Sequence, residues 1–320
     1  MLTTLGFLTS ILLLIILLRC IEHFIRSIYI RNIKNRYVLI TGCDTGFGNL
    51  LAKRLDNKGM NVIATCLTEK GAKDLSLSSS NRLTTFILNV TNDDEIEQLR
   101  EFVSQKVGEN GLYALVNNAG IIGHNLGSPE TILPHKVREV LNVNAVAPAI
   151  MSFKFLHLLH MANGRIINMS SLAGRIQNKI LLYAMSKFCL SGLSSCLGLI
   201  LKTHGWNISV HVIEPGMYRT SLLSADDTRK RVFDSYDRAS KFTKDTFKTR
   251  ENYVEKYMEY HLTAIHRLKS NTHEVIDAYE NAILSIWPKN RYTVGLFEKY
   301  VIIPLTYLPT TISDILVAKD

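Results

Sequence analysis

The feature that most constrains this chain is a glycine-rich joint between an apolar strand, Tyr37–Thr41, and a helix, Gly48–Gly59. The joint reads Thr41-Gly42-Cys43-Asp44-Thr45-Gly46-Phe47-Gly48. Glycines at such a joint let the backbone turn sharply and let a ligand's phosphates approach the first amides of the helix. The joint opens a series: short apolar runs alternate with longer helical patterns from Tyr37 to Val294. Strands separated by helices pair in parallel, with right-handed crossovers and helices on both faces. The expected fold is therefore α/β, a doubly wound parallel sheet in one domain.

The expected strands are Tyr37–Thr41, Asn61–Cys66, Thr84–Val90, Leu112–Val116, Arg165–Met169 and Ile208–Ile213. Asn92-Asp93-Asp94-Glu95 starts a helix where carboxylates suit the positive end of the dipole. A long helix is expected from about Thr131 to His160 and another from Leu181 to about His204. The loops carrying unusual residues all follow strands. They are the glycine loop, Asn117-Asn118-Ala119-Gly120, Ser170-Ser171 and Pro215-Gly216. In an open α/β sheet these carboxyl ends border one crevice, where ligands bind.

Tyr183 and Lys187 are four residues apart on a predicted helix and share one face. An ammonium beside a phenol favours the phenolate, so this pair suits proton transfer at neutral pH. A glycine loop for a dinucleotide pyrophosphate and a proton-transfer pair together describe interconversion of an alcohol and a carbonyl.

The formal charge of +9 does not point to nucleic acid. Arg19, Arg26, Arg31, Lys34 and Arg36 directly follow the uncharged apolar run Leu2–Leu18, against a single Glu22. That run, continued through Cys20 and Ile21, is about long enough to cross a thin bilayer. The positive-inside rule then places everything after Arg19 in the cytosol. A cleaved signal peptide is the rival; it calls for basic residues before the run and small ones at a cleavage site, and neither is present. Cys20, Cys43, Cys66, Cys189 and Cys196 form no CxxC pair, and the ten histidines have no ligand spacing, so no disulfide framework or metal site is expected. Residues 221–270 mix balanced charge with aromatics such as Phe233, Tyr236, Tyr253 and Tyr257, as a lid over a lipophilic pocket would. The C-terminal stretch from Val301 is broken by Pro304 and Pro309. It is read either as an interfacial membrane segment or as an arm on a partner subunit. Asn89, Asn168 and Asn207 begin glycosylation sequons but lie in or beside expected strands.

In this order and spacing TGCDTGFG, NNAG, the serine pair, YAMSK and IEPG resemble the short-chain dehydrogenase/reductase family, from about residue 36 to the C-terminus. The longer runs TGCDTGFGNLLA, CLTEKGA, GLYALVNNAGI and TYLPTTISDIL look like its membrane-bound retinol and hydroxysteroid dehydrogenase branch. The resemblance implies a Rossmann fold over 36–296, an anchor at 1–20, a basic juxtamembrane linker at 21–35 and a membrane-associated or interface segment at 297–320. It implies an endoplasmic reticulum enzyme with a cytosolic catalytic domain, a homodimer, and a lipophilic alcohol as substrate.

The implied roles follow residue by residue. Tyr183 would be the general acid/base and Lys187 its pKa-lowering partner and ribose ligand. Ser171 would position the substrate oxygen, with Ser170 the alternative. Asn144 would link Lys187 to solvent, with Asn142 the alternative. Gly42, Asp44, Thr45, Gly46, Phe47 and Gly48 would border the pyrophosphate, and Cys66, Thr68 and Asn89 the adenosine. Asn118 would support the sheet beside the cofactor, Ala119 and Gly120 would line it, and Pro215, Gly216 and Thr220 would flank the nicotinamide. Met217 would face substrate. The second strand ends Thr65-Cys66-Leu67-Thr68, with neither the acid that would bind ribose hydroxyls nor the arginine that would accept a 2′-phosphate. Asp44 would repel that phosphate, so NAD is expected over NADP. Bulky Ile180, Leu181 and Leu182 beside Tyr183 leave the substrate open. A 3-hydroxybutyrate-type dehydrogenase and a non-catalytic membrane-docked lipid carrier are the competing readings.

Overall fold

The computed structural model describes residues 2–123, 127–219, 225–266 and 268–318. Seven strands form one all-parallel sheet: β1 Tyr37–Ile40, β2 Asn61–Cys66, β3 Leu83–Ile87, β4 Ala114–Asn117, β5 Arg165–Met169, β6 Ser209–Pro215 and β7 Arg291–Val294. Their order is β3-β2-β1-β4-β5-β6-β7, so the winding reverses between β1 and β4. That reversal opens a crevice at the carboxyl ends of the strands.

Strand periodicity divides the core in two. Val38, Ile40, Val62, Ala64 and Val116 face one side, with Leu51 and Leu55 of α2 (Gly46–Asn57) and Val275, Tyr279 and Ile283 of α11 (His273–Leu284). Leu39, Ile63, Leu115 and Ile166 face the other. There they meet Leu99 and Val103 of α4 (Asp93–Val107), Phe155 of α6 (Ala147–Met161) and Leu197 of α7 (Leu181–Thr203). Helix α3 (Glu69–Leu77) packs by Ala72 and Leu75. Helix α7 is long and apolar enough to cross a membrane, but Leu190, Leu197 and Leu201 are buried within the protein.

The long helix expected over 131–160 is interrupted. A helix α5, Pro134–Leu141, passes through a π-helical turn, Asn142–Val146, into α6. The extra residue in such a turn rotates the side chains that follow. Here Asn144 turns wholly inward while Asn142 stays exposed. The expected strand ends are corrected in the same way: β3 stops at Ile87, and β4 begins at Ala114 and runs on to Asn117.

Asn117 belongs to a buried polar chain through the sheet. Its Nδ2 donates to Asn168 Oδ1 at 2.8 Å and to Ser152 Oγ at 3.2 Å, and Asn168 Nδ2 donates to Ser194 Oγ at 2.9 Å. With Asn168 fully buried there is no room for a glycan.

The segment 221–270 contains α8 (Ala225–Arg238), α9 (Lys241–Phe247) and α10 (Arg250–His266); residues 221–224 and 267 lie outside the described residues. These helices share a separate core of Val232, Tyr253, Val254 and Met258. Tyr253 Oη accepts from Ser128 N at 2.7 Å and the Glu130 carboxylate accepts from Ser240 N at 2.9 Å, so these helices are stitched to the loop after β4. At the other end, α1 (Leu2–Ser27) carries Phe7, Leu13, Leu14, Leu17 and Leu18 exposed.

Asn168→Ala should remove one buried hydrogen bond each from Asn117 and Ser194 and lower stability by about 1–3 kcal/mol. Urea unfolding should show the shift; an unchanged midpoint would mean that the polar chain adds nothing.

Candidate active site

The crevice floor is built from backbone. Gly42 and Gly46 have φ of 69° and 66°, which favour glycine. A Cβ on Gly46 would meet nothing within 4 Å, so the loop leaves open space above it. A Cβ on Gly48 would strike the Gly42 carbonyl oxygen and stand 2.5 Å from Asn118 Nδ2. The glycine there allows α2 to start hard against the strand ends. Thr45, the residue before α2, does not cap it with its side chain, so the first-turn amides of α2 gain no cap from that residue. Such a helix end suits a pyrophosphate.

Asn118 ties the two sides of the crevice together. Its Nδ2 donates to the carbonyls of Thr41 at 2.9 Å and Gly42 at 3.0 Å, and its Oδ1 accepts from Tyr279 Oη at 3.1 Å. Thr41 Oγ1 accepts from the amides of Asn118 and Ala119, both at 3.0 Å. Thr41 was not singled out from the sequence as a site residue, although its position at the end of β1 is a signal for this role. Phe47 packs edge-on against Tyr218 at 6.1 Å.

Asp44 is committed to protein. Its carboxylate accepts from Leu67 N at 2.8 Å, Thr68 N at 3.0 Å and Thr68 Oγ1 at 2.7 Å. A negative charge is thereby fixed beyond β2, beside the buried Cys66. Asn89 spends its Oδ1 on Thr91, accepting from the amide at 3.1 Å and the hydroxyl at 2.8 Å.

Three elements bring Ser171, Tyr183, Lys187 and Asn144 together: the end of β5, helix α7 and the π-turn. Lys187 is 2% exposed, and its Nζ donates to the Met169 carbonyl at 2.7 Å and lies 5.4 Å from the Tyr183 ring centre. Ser171 lies beside Tyr183; its Oγ accepts from Ala173 N at 3.1 Å and donates to the Pro215 carbonyl at 3.5 Å. Ser170 turns the other way, its Oγ bonded to Ser191 Oγ at 2.8 Å and to the Lys187 carbonyl at 3.2 Å. Asn144 bonds both the amide and the carbonyl of Ile121 at 2.8 Å and donates to Ser186 Oγ at 2.9 Å. Gly120 passes between Asn144 and Lys187: a Cβ on it would lie 3.3 Å from Asn144 Oδ1 and 3.6 Å from Lys187 Nζ. Ser186 and the Met169 carbonyl escaped the sequence reading, the second because a backbone acceptor has no residue signature.

One electrostatic expectation is overturned. Burial pushes the Tyr183 phenol up to about 12, opposed by its bond to Ser171. Burial also lowers Lys187 from 10.5 to about 7. Desolvation, not attraction between the two groups, dominates here.

Beyond β6 the chain turns at Pro215-Gly216. Met217 is exposed, its carbonyl accepting from Lys269 N at 3.0 Å, and Thr220 lies outside the described residues. The buried Glu298 closes over Gly216, where a Cβ would strike its carboxylate, and pairs with Lys269 at 2.6 Å. Fully buried Glu214 joins Arg291 and, at 3.5 Å, Arg175.

A parallel sheet that reverses at a glycine loop, with a serine, a tyrosine and a lysine gathered beside it, defines a nicotinamide-dependent oxidoreductase. The sequence profile described as short chain dehydrogenase matches residues 36–231. Short-chain dehydrogenase/reductase family 9C member 7 of Mus musculus is 36% identical over 290 residues, 91% of each chain. Retinol dehydrogenase 16 of Rattus norvegicus is 36% identical over 287 residues, 90% of this chain and 89% of that one. 17-beta-hydroxysteroid dehydrogenase type 6 of Homo sapiens is 35% identical over 295 residues, 91% and 90%. A solved short-chain dehydrogenase from Streptomyces avermitilis shares the fold, with a TM-score of 0.67 at 20% identity over 89% of this chain and 94% of that one. The chain belongs to the short-chain dehydrogenase/reductase family, in its retinol and hydroxysteroid dehydrogenase branch. It is an alcohol dehydrogenase/reductase whose fold takes NAD or NADP.

The Lys187 ammonium has a signature in stability. Its folded pKa, about 7, lies below 10.5, so between those values the unfolded chain binds more protons. Stability therefore rises with pH across that window; below about pH 7 both states are protonated and the burial penalty is constant. The melting temperature without nucleotide should rise more steeply from neutral to alkaline pH in the native protein than in Lys187→Met. Equal slopes would contradict the assignment.

Proposed function

We propose that this protein is an NAD-dependent dehydrogenase of a lipophilic alcohol, retinol-like or steroid-like, with Tyr183 as general acid/base. The carrying observation is Tyr183 beside Ser171, with the buried Lys187 one helical turn on and its Nζ 5.4 Å from the Tyr183 ring centre. In this reading Ser171 positions the substrate oxygen and Tyr183 exchanges a proton with it. Asn144 holds the loop after β4 against α7 through Ile121 and Ser186. The glycine loop, Ala119, Gly120, Lys187, Pro215 and Gly216 hold the cofactor, which supplies or accepts the hydride when bound. Burial keeps the phenol protonated at neutral pH, the form that delivers a proton to a carbonyl. Oxidation needs the opposite form, so its rate should climb into the alkaline range.

Asp44 supports NAD. Its carboxylate is held just beyond β2, and a 2′-phosphate on a ribose bound there would meet that charge. The lipophilic substrate is supported by the names of the relatives, by the apolar residues Ile180, Leu181 and Leu182 beside Tyr183, and by the aromatic lid. A 3-hydroxybutyrate-type reaction would want a cation for the carboxylate, and Arg175 is spent on Glu214. A non-catalytic lipid carrier would not need Tyr183 and Lys187 kept together.

The division into an anchor at 1–20, a linker at 21–35, a Rossmann domain at 36–296 and a membrane or interface segment at 297–320 belongs to the same proposal. The first part of α1 is uncharged, and its described apolar side chains Phe7, Ile11 and Leu13–Leu18 are exposed, as in a bilayer helix. The basic flank supports a cytosolic catalytic domain, and the endoplasmic reticulum location rests on the family resemblance. The exposed Phe188, Leu199 and Ile200 of α7 and Phe153 of α6 suit a homodimer.

With NAD and a panel of retinoid and steroid alcohols, Tyr183→Phe should lower kcat by about 10²–10⁴ with little change in NAD affinity. Near-native turnover would remove Tyr183 from the mechanism. Asp44→Asn keeps the side-chain shape but deletes the charge, and should narrow the preference for NAD in kcat/KM. A native enzyme that already prefers NADP would sink the electrostatic argument.

A further inference from the structure

Below its apolar stretch α1 turns polar on one side and docks on the catalytic domain. Arg26 Nη1 donates to the Trp287 carbonyl at 2.7 Å and the guanidinium lies 5.4 Å from the indole centre. Ile30 N donates to the Leu284 carbonyl at 2.8 Å, Ile286 N donates to the Ile28 carbonyl at 2.9 Å, and Tyr29 bridges Ser285. The junction is therefore a fixed surface. Ile286 and Trp287 are exposed on it beside the exit of α1.

Cations crowd that surface. Burial and the nearby Lys299 ammonium, then more weakly Arg26 and Arg19, hold Lys289 below the ordinary lysine range against an opposing pull from Glu22. Lys289 follows by two residues the Trp287 that Arg26 holds, and it feels the other three cations with one carboxylate among them. Glu22 is already shared, bonded to Arg19 at 3.0 Å and to Arg26 at 2.9 Å. Among the described residues Lys289 and Lys299 form no ion pair; Lys299 lies 4.9 Å over the exposed Tyr300 ring. Like charges held together without counterions favour an anion. Tryptophan and tyrosine beside them are the side chains that settle at the headgroup level of a bilayer.

We propose that Arg26, Trp287, Lys289 and Lys299 form a collar that binds the phosphate-bearing headgroups of anionic phospholipids where α1 enters the membrane. This rests on the membrane reading of α1 and adds a lipid preference to it. Each cation near an anionic surface contributes about fivefold to binding. The collar would fix the catalytic domain's tilt against the bilayer, because it is rigidly joined to β7 through the short Asn290 link.

The test uses the full chain carrying Trp206→Phe, which leaves Trp287 as the sole tryptophan. It is reconstituted into vesicles of equal parts phosphatidylcholine and phosphatidylserine, with either lipid brominated in turn. Trp287 fluorescence should be quenched several-fold more by brominated phosphatidylserine. Lys289→Gln with Lys299→Gln should bring the two quenchings to parity while the protein still floats with vesicles. Equal quenching in the native collar, or none, with flotation intact, would overturn the collar and leave the anchor standing. Failure to float with either lipid would overturn both. Equal protection of Trp287 by soluble glycerophosphoserine without vesicles would replace the membrane ligand with a free anion and also overturn the proposal.

Discussion

The structure depends most on the latch between Thr41 and Asn118, across the point where the strand order reverses. Thr41 Oγ1 holds two successive amides of the β4 loop, and Asn118 returns two bonds to the β1 loop. Without the latch the two halves of the sheet would meet only through β1 and β4. With it, the first amides of α2 and the Asn118–Gly120 backbone border one crevice of fixed width. The glycine at position 48 follows from the same geometry, since the Asn118 amide occupies the space a side chain would need.

Burial, more than pairing, sets the state of the ionisable groups around this crevice. The tyrosine and lysine of the YAMSK stretch are pushed in opposite directions, both toward their neutral forms. Lys187 keeps one strong acceptor, the Met169 carbonyl, so burying it does not orphan it. Glu214 solves the same problem differently: it is fully buried but lies against Arg291 and Arg175. A carboxylate in the core with two guanidiniums is retained only if all three are held in place. Here Arg291 also bonds Ser195 Oγ, at 2.7 Å.

Much of the fold was legible because parallel strands buried on both faces read as short apolar runs, and the glycine loop marks the first strand–helix joint. The branch of the family was legible too, through runs such as CLTEKGA that tie the second strand to its loop. What was not legible is informative. The π-turn at 142–146 hides inside an ordinary helical pattern, since one extra residue barely disturbs a period near 3.6. Yet that turn is what separates buried Asn144 from exposed Asn142. The resemblance favoured Ser171 over Ser170, and the structure turns these adjacent side chains in opposite directions, Ser171 beside Tyr183 and Ser170 against Ser191. Asp44 could be read as a charge from the sequence, but not as a side chain whose three bonds hold the turn after β2. Glu298, far along the chain, had no signal that it would close over Gly216.

The segment between Gly174 and Tyr183 brings these strands of argument to the substrate. It is held from two sides: Arg175 by Glu214 of β6, and Gln177 by Ser313, whose Oγ accepts from Gln177 Nε2 at 3.1 Å. Ser313 is buried, whereas Ile312 and Ile315 beside it are exposed. The helix Thr310–Ala318 thus presents one face to the wall of the site and apolar residues to its surroundings. A protein or lipid surface that covers Ile312 and Ile315 would press on the same helix that fixes Gln177. The stretch leading into Tyr183 is therefore tied both to the sheet, through Arg175 and Glu214, and to the C-terminal helix, through Gln177 and Ser313.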